Sequence, residues 1–346
     1  MKRIIYIDEP LNPPGGGQIS LLTIIKNIDK EKYDFVVFLK KDYLFKDILE
    51  KNGVKVEFVK TYELFGKIKE FNPDIVHINS ACTKYTFWGA FFSKILKKKV
   101  VWHNRVLESS PLKERVITFF VDRIIAISNE VAKKFRYADK KVVVLYNPVD
   151  LNNIRLEIKA DELKERLNIP RDLKVIGVFS RLEKWKGHRI LFEAISRLKY
   201  NVFLIVCGEG SEKNNLIEFA KTLNIYERIK FMGFVENVYD YINICDIVVN
   251  PSVEAEPFGR VIIEAMAMGK VVIATDMGGP SEIIIDGIDG ILVKTNAESL
   301  KLAIEKVLSD GNLYKKISDN AKIKSFNFDV LNYIKKLEII YEKDPF

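Results

Sequence analysis

Short runs of β-branched and aromatic residues alternate with longer segments of helical periodicity along almost the whole chain. Such alternation is typical of βαβ units, in which each strand of a parallel sheet is followed by a helix that covers the sheet. Seven candidate strands lie in the first half: Arg3–Ile7, Phe35–Leu39, Val54–Val59, Ile75–Ile78, Val100–His103, Arg123–Ile127 and Val142–Tyr146. Six more lie in the second half: Lys174–Phe179, Val202–Cys207, Ile229–Phe231, Ile247–Asn250, Val271–Thr275 and Ile291–Val293. We therefore expect an α/β protein with two Rossmann-like sheets.

The length agrees with two domains. A chain of 346 residues is long enough for two hydrophobic cores at roughly 100–200 residues each. The stretch from Asn147 to Pro170 is polar, bounded by prolines and lies between the two sets of strands. We predict an N-terminal domain over residues 1–165 and a C-terminal domain over residues 166–346, with the last helix as a candidate to pack back on the first domain. Two such domains would face a central cleft, with ligands bound at the C-terminal ends of the strands.

The positive charge is concentrated in the first half of the chain. Met1 to Asp150 carries 27 Lys+Arg and 18 Asp+Glu, a net charge of +9, against +8 for the whole chain. This asymmetry favours an anionic partner such as a nucleic acid, an anionic membrane face or a phosphorylated substrate, although a lysine-rich solvated surface explains it as well. No apolar run approaches the roughly 18 residues that span a bilayer. We expect a cytoplasmic protein, with peripheral attachment to the inner face of the cell membrane as the alternative.

One segment of the first half combines aromatic and cationic residues. Phe87–Lys99 has the spacing of a single helix face at Phe87, Trp88, Phe91, Phe92 and Ile95, and it ends in three lysines. Two interpretations are open. The segment is either a core-facing helix with a cationic last turn, which the helix dipole favours, or an interfacial helix whose lysines reach an anionic membrane. The basic run Lys133, Lys134 and Arg136 adds to the second interpretation.

Two loops that follow predicted strands are suited to an anionic ligand. Gly15, Gly16 and Gly17 follow the first strand and precede a helix, so the backbone can approach a ligand and the helix N-terminus offers N–H groups. Their spacing is not that of a dinucleotide fingerprint. Arg181 and Lys186 follow the first strand of the second half, and a guanidinium together with an ammonium group can hold a diphosphate.

The most informative stretch runs from Asn250 to Gly269. A strand leads into a loop that contains Glu256, and the helix that follows carries Glu264 among apolar residues. A glutamate in an apolar helix face is unusual because its burial is unfavourable. Carboxylates do not hold phosphate, but they accept hydrogen bonds from sugar and ribose hydroxyls. Phosphate is suited instead to the N–H groups near Phe258, Gly259, Arg260 and Val261.

At these residues the chain resembles glycosyltransferase family four, the retaining enzymes of the GT-B fold. The resemblance rests on the E-x7-E motif from Glu256 to Glu264, with Ala265-Met266-Ala267-x-Gly269 behind it. Further matching segments are Gly15-Gly16, Arg181-x4-Lys186-Gly187, Gly208-x-Gly210, Gly233-Phe234-Val235, Gly278-Gly279-Pro280-Ser281-Glu282 and Asp286-Gly287-x-x-Gly290. The second half matches throughout, and the first half matches at its glycine loop, at His103 and at Asn147-Pro148-Val149-Asp150.

The resemblance implies a role for each candidate residue. Glu264 would bond the nucleotide ribose, and Glu256 would contact the donor sugar. Arg181 and Lys186 would neutralise the diphosphate, and the loop Gly15–Gly17 would close on it. The candidate catalytic residues are His103 and Glu256. The candidate donor-binding residues are Gly15, Gly16, Gly17, Arg181, Lys186, Glu256, Phe258, Gly259, Arg260, Val261 and Glu264.

The same resemblance implies a reaction without a cofactor. The donor would be a UDP- or GDP-sugar, and the departing phosphate would act as base on the same face, so that the configuration is retained without a carboxylate nucleophile. No metal site is expected, because no Asp-x-Asp follows a strand and the two cations supply the positive charge. Asn104 stands where the family often has aspartate, Gln18 stands where it often has glutamate, and His77 and His188 are expected to be structural.

The expected function is therefore that of a retaining, metal-independent hexosyltransferase. It would move a sugar to a cell-envelope saccharide or a lipid-linked acceptor, as in polysaccharide or lipopolysaccharide biosynthesis. An epimerase or hydrolase of the same architecture is the alternative, but it would need a further acid–base set. A non-catalytic module for nucleic acid or another anion would leave Arg181, Lys186, Glu256 and Glu264 unexplained. The expected partners are the nucleotide sugar, the acceptor and an anionic membrane surface at Phe87–Lys99, without nucleic acid.

Overall fold

The computed structural model describes residues 1–108 and 110–342, and the chain divides into two compact units. Unit 1 comprises Met1–Pro148 and the segment that begins at Asp329, and unit 2 comprises Val149–Phe328. This division falls earlier than the predicted boundary between residues 165 and 166, which lies inside the helix Ala160–Arg166. That helix contacts the helix Val238–Ile244 of unit 2 and buries Leu163, so its packing assigns it to unit 2.

Unit 1 is built on a seven-stranded parallel sheet. Its strands β1 to β7 are Lys2–Asp8, Tyr33–Leu39, Val56–Phe58, Ile75–Ile78, Lys99–Asn104, Arg123–Ala126 and Val142–Val144. Their order in the sheet is β3-β2-β1-β4-β5-β6-β7. Its helices α1 to α6 are Gly16–Asn27, Leu44–Lys51, Leu64–Phe71, Lys84–Ile95, Pro111–Phe119 and Asn129–Ala132, and a 3-10 helix follows at Lys133–Lys141.

Unit 2 repeats this plan on a six-stranded parallel sheet. Its strands β8 to β13 are Lys174–Phe179, Val202–Cys207, Ile229–Gly233, Ile247–Asn250, Val271–Thr275 and Ile291–Val293, in the order β10-β9-β8-β11-β12-β13. Its helices α7 to α14 are Ala160–Arg166, His188–Ser196, Lys213–Thr222, Val238–Ile244, Arg260–Ala267, Gly279–Ile283, Ala297–Ser309 and Gly311–Ser325. Short 3-10 helices lie at Leu151–Asn153, Lys184–Lys186, Tyr226–Arg228 and Phe326–Phe328. The predicted α/β class with two Rossmann-like sheets is thus confirmed.

The last helix of the described chain, α15 at Val330–Glu342, completes the core of unit 1. Its apolar face joins the same buried cluster as the inner face of α1, over the central strand β1. The members of this cluster include Leu21, Ile24, Ile25, Val330, Tyr333 and Leu337. Each fully buried side chain of this size contributes roughly 1.5–3 kcal/mol relative to exposure. The two ends of unit 1 in the sequence are therefore held together by hydrophobic packing.

Helix α4 packs on the sheet with the face opposite to its aromatic residues. Its buried residues are small or hydroxyl-bearing, apart from Tyr85, and a Cβ on Gly89 would lie 3.1 Å from Ile7 Cδ1 of β1. The aromatic edge points away from the sheet, with Trp88 and Ile95 exposed. Phe87, Phe91 and Phe92 are partly buried against Phe65 and Phe120. Close packing on the sheet selects the small side chains of α4, so the aromatic residues pack beside the sheet and not on it. No helix of the described residues is long and apolar enough to cross a membrane.

In both sheets the strand order reverses at a pair of neighbouring strands that are not consecutive in sequence, which we call the switch point. These pairs are β1 with β4 in unit 1 and β8 with β11 in unit 2. The loops that leave such strands diverge to opposite faces of the sheet, which opens a crevice at the C-terminal edge where ligands bind in this class of fold. The predicted site residues Gly15–Gly17, Lys186 and Glu256 follow β1, β8 and β11 respectively.

Candidate functional site

In unit 2 the loops that follow β8 and β11, the two strands of the switch point, contact each other through their backbones. Gly187 follows β8 with φ +70°, and a Cβ there would lie 1.9 Å from the carbonyl oxygen of Pro251, which follows β11. The N–H of Val253 donates to the carbonyl of Trp185 at 2.7 Å. Only glycine permits both this left-handed conformation and this close approach. The contact fixes where the neighbouring Lys186 lies.

Lys186 and Glu256 form a buried ion pair at this point. Lys186 Nζ lies 2.5 Å from Glu256 Oε2, and the two side chains are only 12% and 9% exposed. Ser252 Oγ donates to the same carboxylate oxygen at 2.8 Å. Both hydrogen bonds that the carboxylate accepts from described side chains thus end on Oε2, and Oε1 keeps its capacity to accept a further hydrogen bond.

The charge around this pair favours an anion. Burial lowers the pKa of Lys186, the Glu256 carboxylate raises it, and the positive charge of Arg181 lowers it again. Arg181 follows the end of β8 and is exposed, so its guanidinium is accessible to a ligand. A diphosphate in this crevice would meet one buried, paired cation and one exposed cation.

Glu264 has a partner that the sequence analysis did not foresee. Arg260, one turn earlier on α11, donates through Nε to Glu264 Oε1 at 2.6 Å, and both side chains are about nine-tenths buried. Burial and then the charge of Glu264 raise the pKa of Tyr239, which lies beside the pair. The arginine therefore orients the carboxylate that is predicted to bond a ribose, and its guanidinium is not committed to phosphate alone. An i, i+4 spacing of opposite charges was the available signal.

The start of α11 is shaped by glycines from two loops. Gly259 caps the helix with φ +88°, and a Cβ on Gly279 would lie 2.3 Å from Phe258 Cα. The side chains of Phe258 and Val261 are buried, at 2% and 9% exposure, so these candidate residues can contact a ligand only through the backbone. The first N–H groups of a helix lack intrahelical acceptors, which is the property that phosphate binding uses.

In unit 1 the predicted glycine loop is tied to the end of β1 by Gln18. The N–H of Gly15 donates to Gln18 Oε1 at 3.1 Å, and Gln18 Nε2 donates to Asp8 Oδ1 at 3.0 Å. Burial raises the pKa of Asp8 to about 7, although its hydrogen bonds lower it. An amide satisfies both groups, whereas a glutamate at position 18 would place a second carboxylate beside Asp8. The departure from the family pattern is thus explained by the partner.

Arg105 joins the glycine loop to His103. A Cβ on Gly17 would lie 2.9 Å from Arg105 Cδ, and Arg105 Nη2 lies 3.2 Å from His103 Nδ1. The guanidinium also donates to the side-chain oxygens of Asn79 and Asn147. The sequence analysis missed Arg105 because its position two residues after His103 does not show that it turns inward. In unit 1, Gly17 and His103 therefore both adjoin Arg105, whereas Lys186 and Glu256 of unit 2 contact each other directly.

His103 is fully buried at the end of β5. Its Nδ1 also lies 3.2 Å from His77 Nε2, and His77 Nδ1 lies 2.7 Å from the hydroxyl of Tyr341 on α15. His103 Nε2 is buried and has no hydrogen-bond partner among the described residues. Among those residues no group of three or more His, Cys, Asp or Glu could hold a metal ion.

Comparison with known proteins identifies the class to which this fold belongs. The family model for glycosyl transferases group 1 matches residues 159–324, and the model for Glycosyltransferase Family 4 matches residues 14–153. The structure of Anabaena HepE in complex with UDP and glucose has a TM-score of 0.89 and 27% identity, over 98% of this chain and 99% of that chain. The fold is therefore GT-B.

Two curated relatives agree with this assignment. One is the N-acetylgalactosamine-N,N'-diacetylbacillosaminyl-diphospho-undecaprenol 4-alpha-N-acetylgalactosaminyltransferase of Campylobacter jejuni, 34% identical over 58% of this chain and 53% of the relative. The other is the lipopolysaccharide core biosynthesis glycosyltransferase LpsE of Rhizobium meliloti, 32% identical over 45% of this chain and 46% of the relative. The chain matches about half the length of each. The protein belongs to glycosyltransferase family four, and the resemblance read from the E-x7-E motif is confirmed.

Proposed function

We propose that this glycosyltransferase transfers a sugar from a UDP-sugar to a lipid-linked saccharide in the assembly of a cell-envelope glycan such as lipopolysaccharide. The observation that carries the proposal is the buried pair of Lys186 and Glu256, with Arg181 beside it, at the switch point of unit 2. It combines cations for a diphosphate with a carboxylate for sugar hydroxyls in one crevice. The UDP complex of HepE supports the choice of base, and the Campylobacter relative supports a lipid-linked acceptor.

In this proposal different residues contact successive parts of the donor: the ribose, the diphosphate and the sugar. Glu264, held by Arg260, accepts from the ribose hydroxyls, and Lys186 with Arg181 stabilises the charge that grows on the leaving diphosphate. Glu256 accepts from the donor sugar through Oε1. The loop Gly15–Gly17 and His103 are proposed to contact the donor as well. The cations replace a metal ion, and the leaving phosphate serves as the base, so that the product retains the anomeric configuration of the donor.

A nucleotide-binding experiment tests the donor and the metal requirement together. The melting temperature is measured with UDP, GDP and ADP, each in EDTA. We expect UDP alone to raise it, since a ligand at 100 times its Kd stabilises by about 2.7 kcal/mol. A shift with GDP instead would overturn the base assignment. Metal independence would be overturned if the shift in melting temperature and the transfer activity appeared only when Mg²⁺ or Mn²⁺ replaced EDTA. Retention would be overturned if the NMR spectrum of the product showed the opposite anomeric configuration to that of the donor.

We also propose that unit 1 docks on an anionic membrane through α4 and α5. Phe120, after α5, packs on Phe87 and Phe91 of α4, so the two helices adjoin. On α5, three apolar residues at helical spacing point outward: Leu112, Val116 and Phe119 are 82%, 45% and 77% exposed. Exposed Lys113 and Arg115 lie between them. Apolar side chains flanked by cations are the pattern of an interfacial helix.

Two lysines that the sequence analysis assigned to the membrane surface, Lys99 and Lys134, have partners within unit 1. Lys99 Nζ donates to the carbonyl of Tyr341 at 2.9 Å, and Lys134 is paired with Glu114 at 2.9 Å with its side chain 8% exposed. Both therefore act inside unit 1, not as surface charges. Lys97 is exposed and has φ +56°, so asparagine is its least strained replacement.

Vesicle co-sedimentation tests the docking proposal. We expect binding to phosphatidylglycerol vesicles and not to phosphatidylcholine vesicles, weakened about 30-fold by Lys97→Asn with Lys113→Ser, because each cation near an anionic surface contributes about 1 kcal/mol. Leu112→Ser with Phe119→Ser should weaken it further by removing buried apolar area. The matched control is Lys306→Ser with Ile323→Ser, at exposed positions of unit 2. Protein that stays in the supernatant at low salt, or a control that weakens binding equally, would overturn docking through this surface.

A further inference from the structure

The ammonium group of Lys186 contacts an aromatic ring as well as the carboxylate of Glu256. Its Nζ atom lies 4.0 Å from the centroid of the Trp185 ring, so the cation faces the π-surface of the indole. The same Nζ atom lies 2.5 Å from Glu256 Oε2. The face of an aromatic ring carries negative potential, and tryptophan is the side chain whose ring attracts cations most strongly. Lys186 is therefore held by two partners of different chemistry.

The local backbone explains why the ring of Trp185 lies beside the ammonium group. Trp185 and Lys186 belong to a 3-10 helix that ends at Gly187 in the left-handed conformation. The carbonyl of Trp185 accepts the N–H of Val253 at 2.7 Å, and Val253 lies in the loop that also carries Glu256. Both partners of the ammonium group are thus attached to the same pair of contacting loops.

The indole opposes two effects that disfavour the charged form of Lys186. Burial lowers the pKa of Lys186, the Glu256 carboxylate raises it, and the positive charge of Arg181 lowers it again. Burial, and then the charge of Lys186, lower the pKa of His188 to about 3, so this neighbouring ring adds no charge. An aromatic face attracts the ammonium form and not the neutral amine. Trp185 therefore acts on Lys186 in the same direction as Glu256 does.

We infer that Trp185 is a positioning residue that holds the ammonium group of Lys186 in place and keeps it charged. This inference rests on the proposed function for the statement that Lys186 stabilises the diphosphate. An ammonium group has three N–H donors, and Glu256 accepts from one of them. The indole holds the cation without a formal negative charge, so that it does not repel a phosphate as a second carboxylate would.

A cycle of variants without nucleotide tests the contact itself. Tetrafluorotryptophan is placed at position 185 alone through a suppressed stop codon, which nearly keeps the shape of the ring and removes the negative potential of its face. Urea unfolding is measured in the parent protein and in Lys186→Met, which has an apolar side chain without the charge. We expect fluorination to lower the folding equilibrium constant about 2- to 30-fold more in the parent than in Lys186→Met, the range of cation–π contacts. Equal effects in both backgrounds would overturn the inference.

The affinity for UDP tests what the contact does for the proposed donor site. With mono-, di- and tetrafluorotryptophan at position 185, calorimetric titration should show an affinity that falls with each substitution, by about 3- to 30-fold at the last. The fall of UDP affinity at alkaline pH, where Lys186 loses its charge, should move to lower pH in the same order. The matched control is tetrafluorotryptophan in place of Trp88, which packs among phenylalanines in unit 1 and should leave UDP affinity unchanged.

Two outcomes distinguish a failure of this inference from a failure of the proposed function. If Lys186→Met weakened UDP binding but the fluorinated series bound UDP with constant affinity, Trp185 would not be a positioning residue. If Lys186→Met left UDP affinity unchanged, the proposed role of Lys186 at the diphosphate would be overturned, while the cycle of unfolding measurements would still decide the contact between Lys186 and Trp185.

Discussion

Glu256→Gln is expected to lower kcat/KM for sugar transfer by about 10- to 100-fold. The carboxylate would lose its charged hydrogen bond to a donor hydroxyl, which is worth about 1.5–3 kcal/mol, and each 1.4 kcal/mol is a factor of ten. Glutamine keeps the volume of the side chain and its hydrogen bond from Ser252, so that the change removes charge and not packing. Steady-state kinetics at varied donor concentration measures the effect.

The matched control for this variant is Glu254→Gln. Glu254 lies two residues earlier in the same loop and is exposed, so its loss should leave kcat/KM within twofold. Glu264→Gln should act mainly on the KM for the donor, because Glu264 is proposed to contact the ribose, which does not react. Equal kcat/KM for Glu256→Gln and Glu254→Gln would contradict the role assigned to Glu256. Melting curves of all three variants detect any loss that comes from unfolding, since Lys186 would be left buried without its counter-charge.

Gly187→Ala is expected to destabilise unit 2 by about 2–5 kcal/mol. A β-carbon with φ near +70° is strained by roughly 1–2 kcal/mol, and overlap with the Pro251 carbonyl adds typically 1–3 kcal/mol. Because Gly187 adjoins Lys186, the displaced loop should also separate Lys186 from Glu256 and weaken UDP binding at least tenfold. Urea unfolding and calorimetric titration with UDP provide the two measurements.

Unit 2 contains a control with almost the same backbone angle. Gly287 also has φ +70°, but a Cβ there would meet nothing within 4 Å. Gly287→Ala should therefore show only the strain of roughly 1–2 kcal/mol and unchanged UDP affinity. If the two alanine variants were equally stable and bound UDP equally well, close approach of the two loops would not be what positions Lys186.

The strands were predictable from sequence because buried parallel strands carry a continuous apolar signal. Ile75–Ile78 and Ile247–Asn250, for example, have the same bounds in the sequence analysis and in the structure. The loops at their ends could be assigned as well, since glycines and charged residues interrupt that signal. The E-x7-E spacing thus located Glu256 and Glu264, and the strand order then explained why Glu256 meets a residue 70 positions earlier.

The parts that escaped prediction depend on long-range packing. Periodicity showed that α4 has an aromatic face, but only the space above β1 and β4 decides that its small residues turn inward. The contact of His77 with Tyr341 joins residues 264 positions apart, and no local pattern announces it. Asp8, Asn79 and Arg105 were missed for the same reason, because a polar residue at a strand end gives no sign of its partner.

The discontinuity of unit 1 has a consequence for how the protein is made. A ribosome that adds about 5–20 residues per second completes β1 to β7 well before it reaches Val330–Glu342, because all of Val149–Phe328 is synthesised in between. During that interval the nascent first unit exposes the apolar face of α1, and His77 lacks its hydrogen-bond partner Tyr341. Unit 2, which is continuous in sequence, is therefore the one that can finish folding first, and the histidine site of unit 1 is assembled among the last steps of biogenesis.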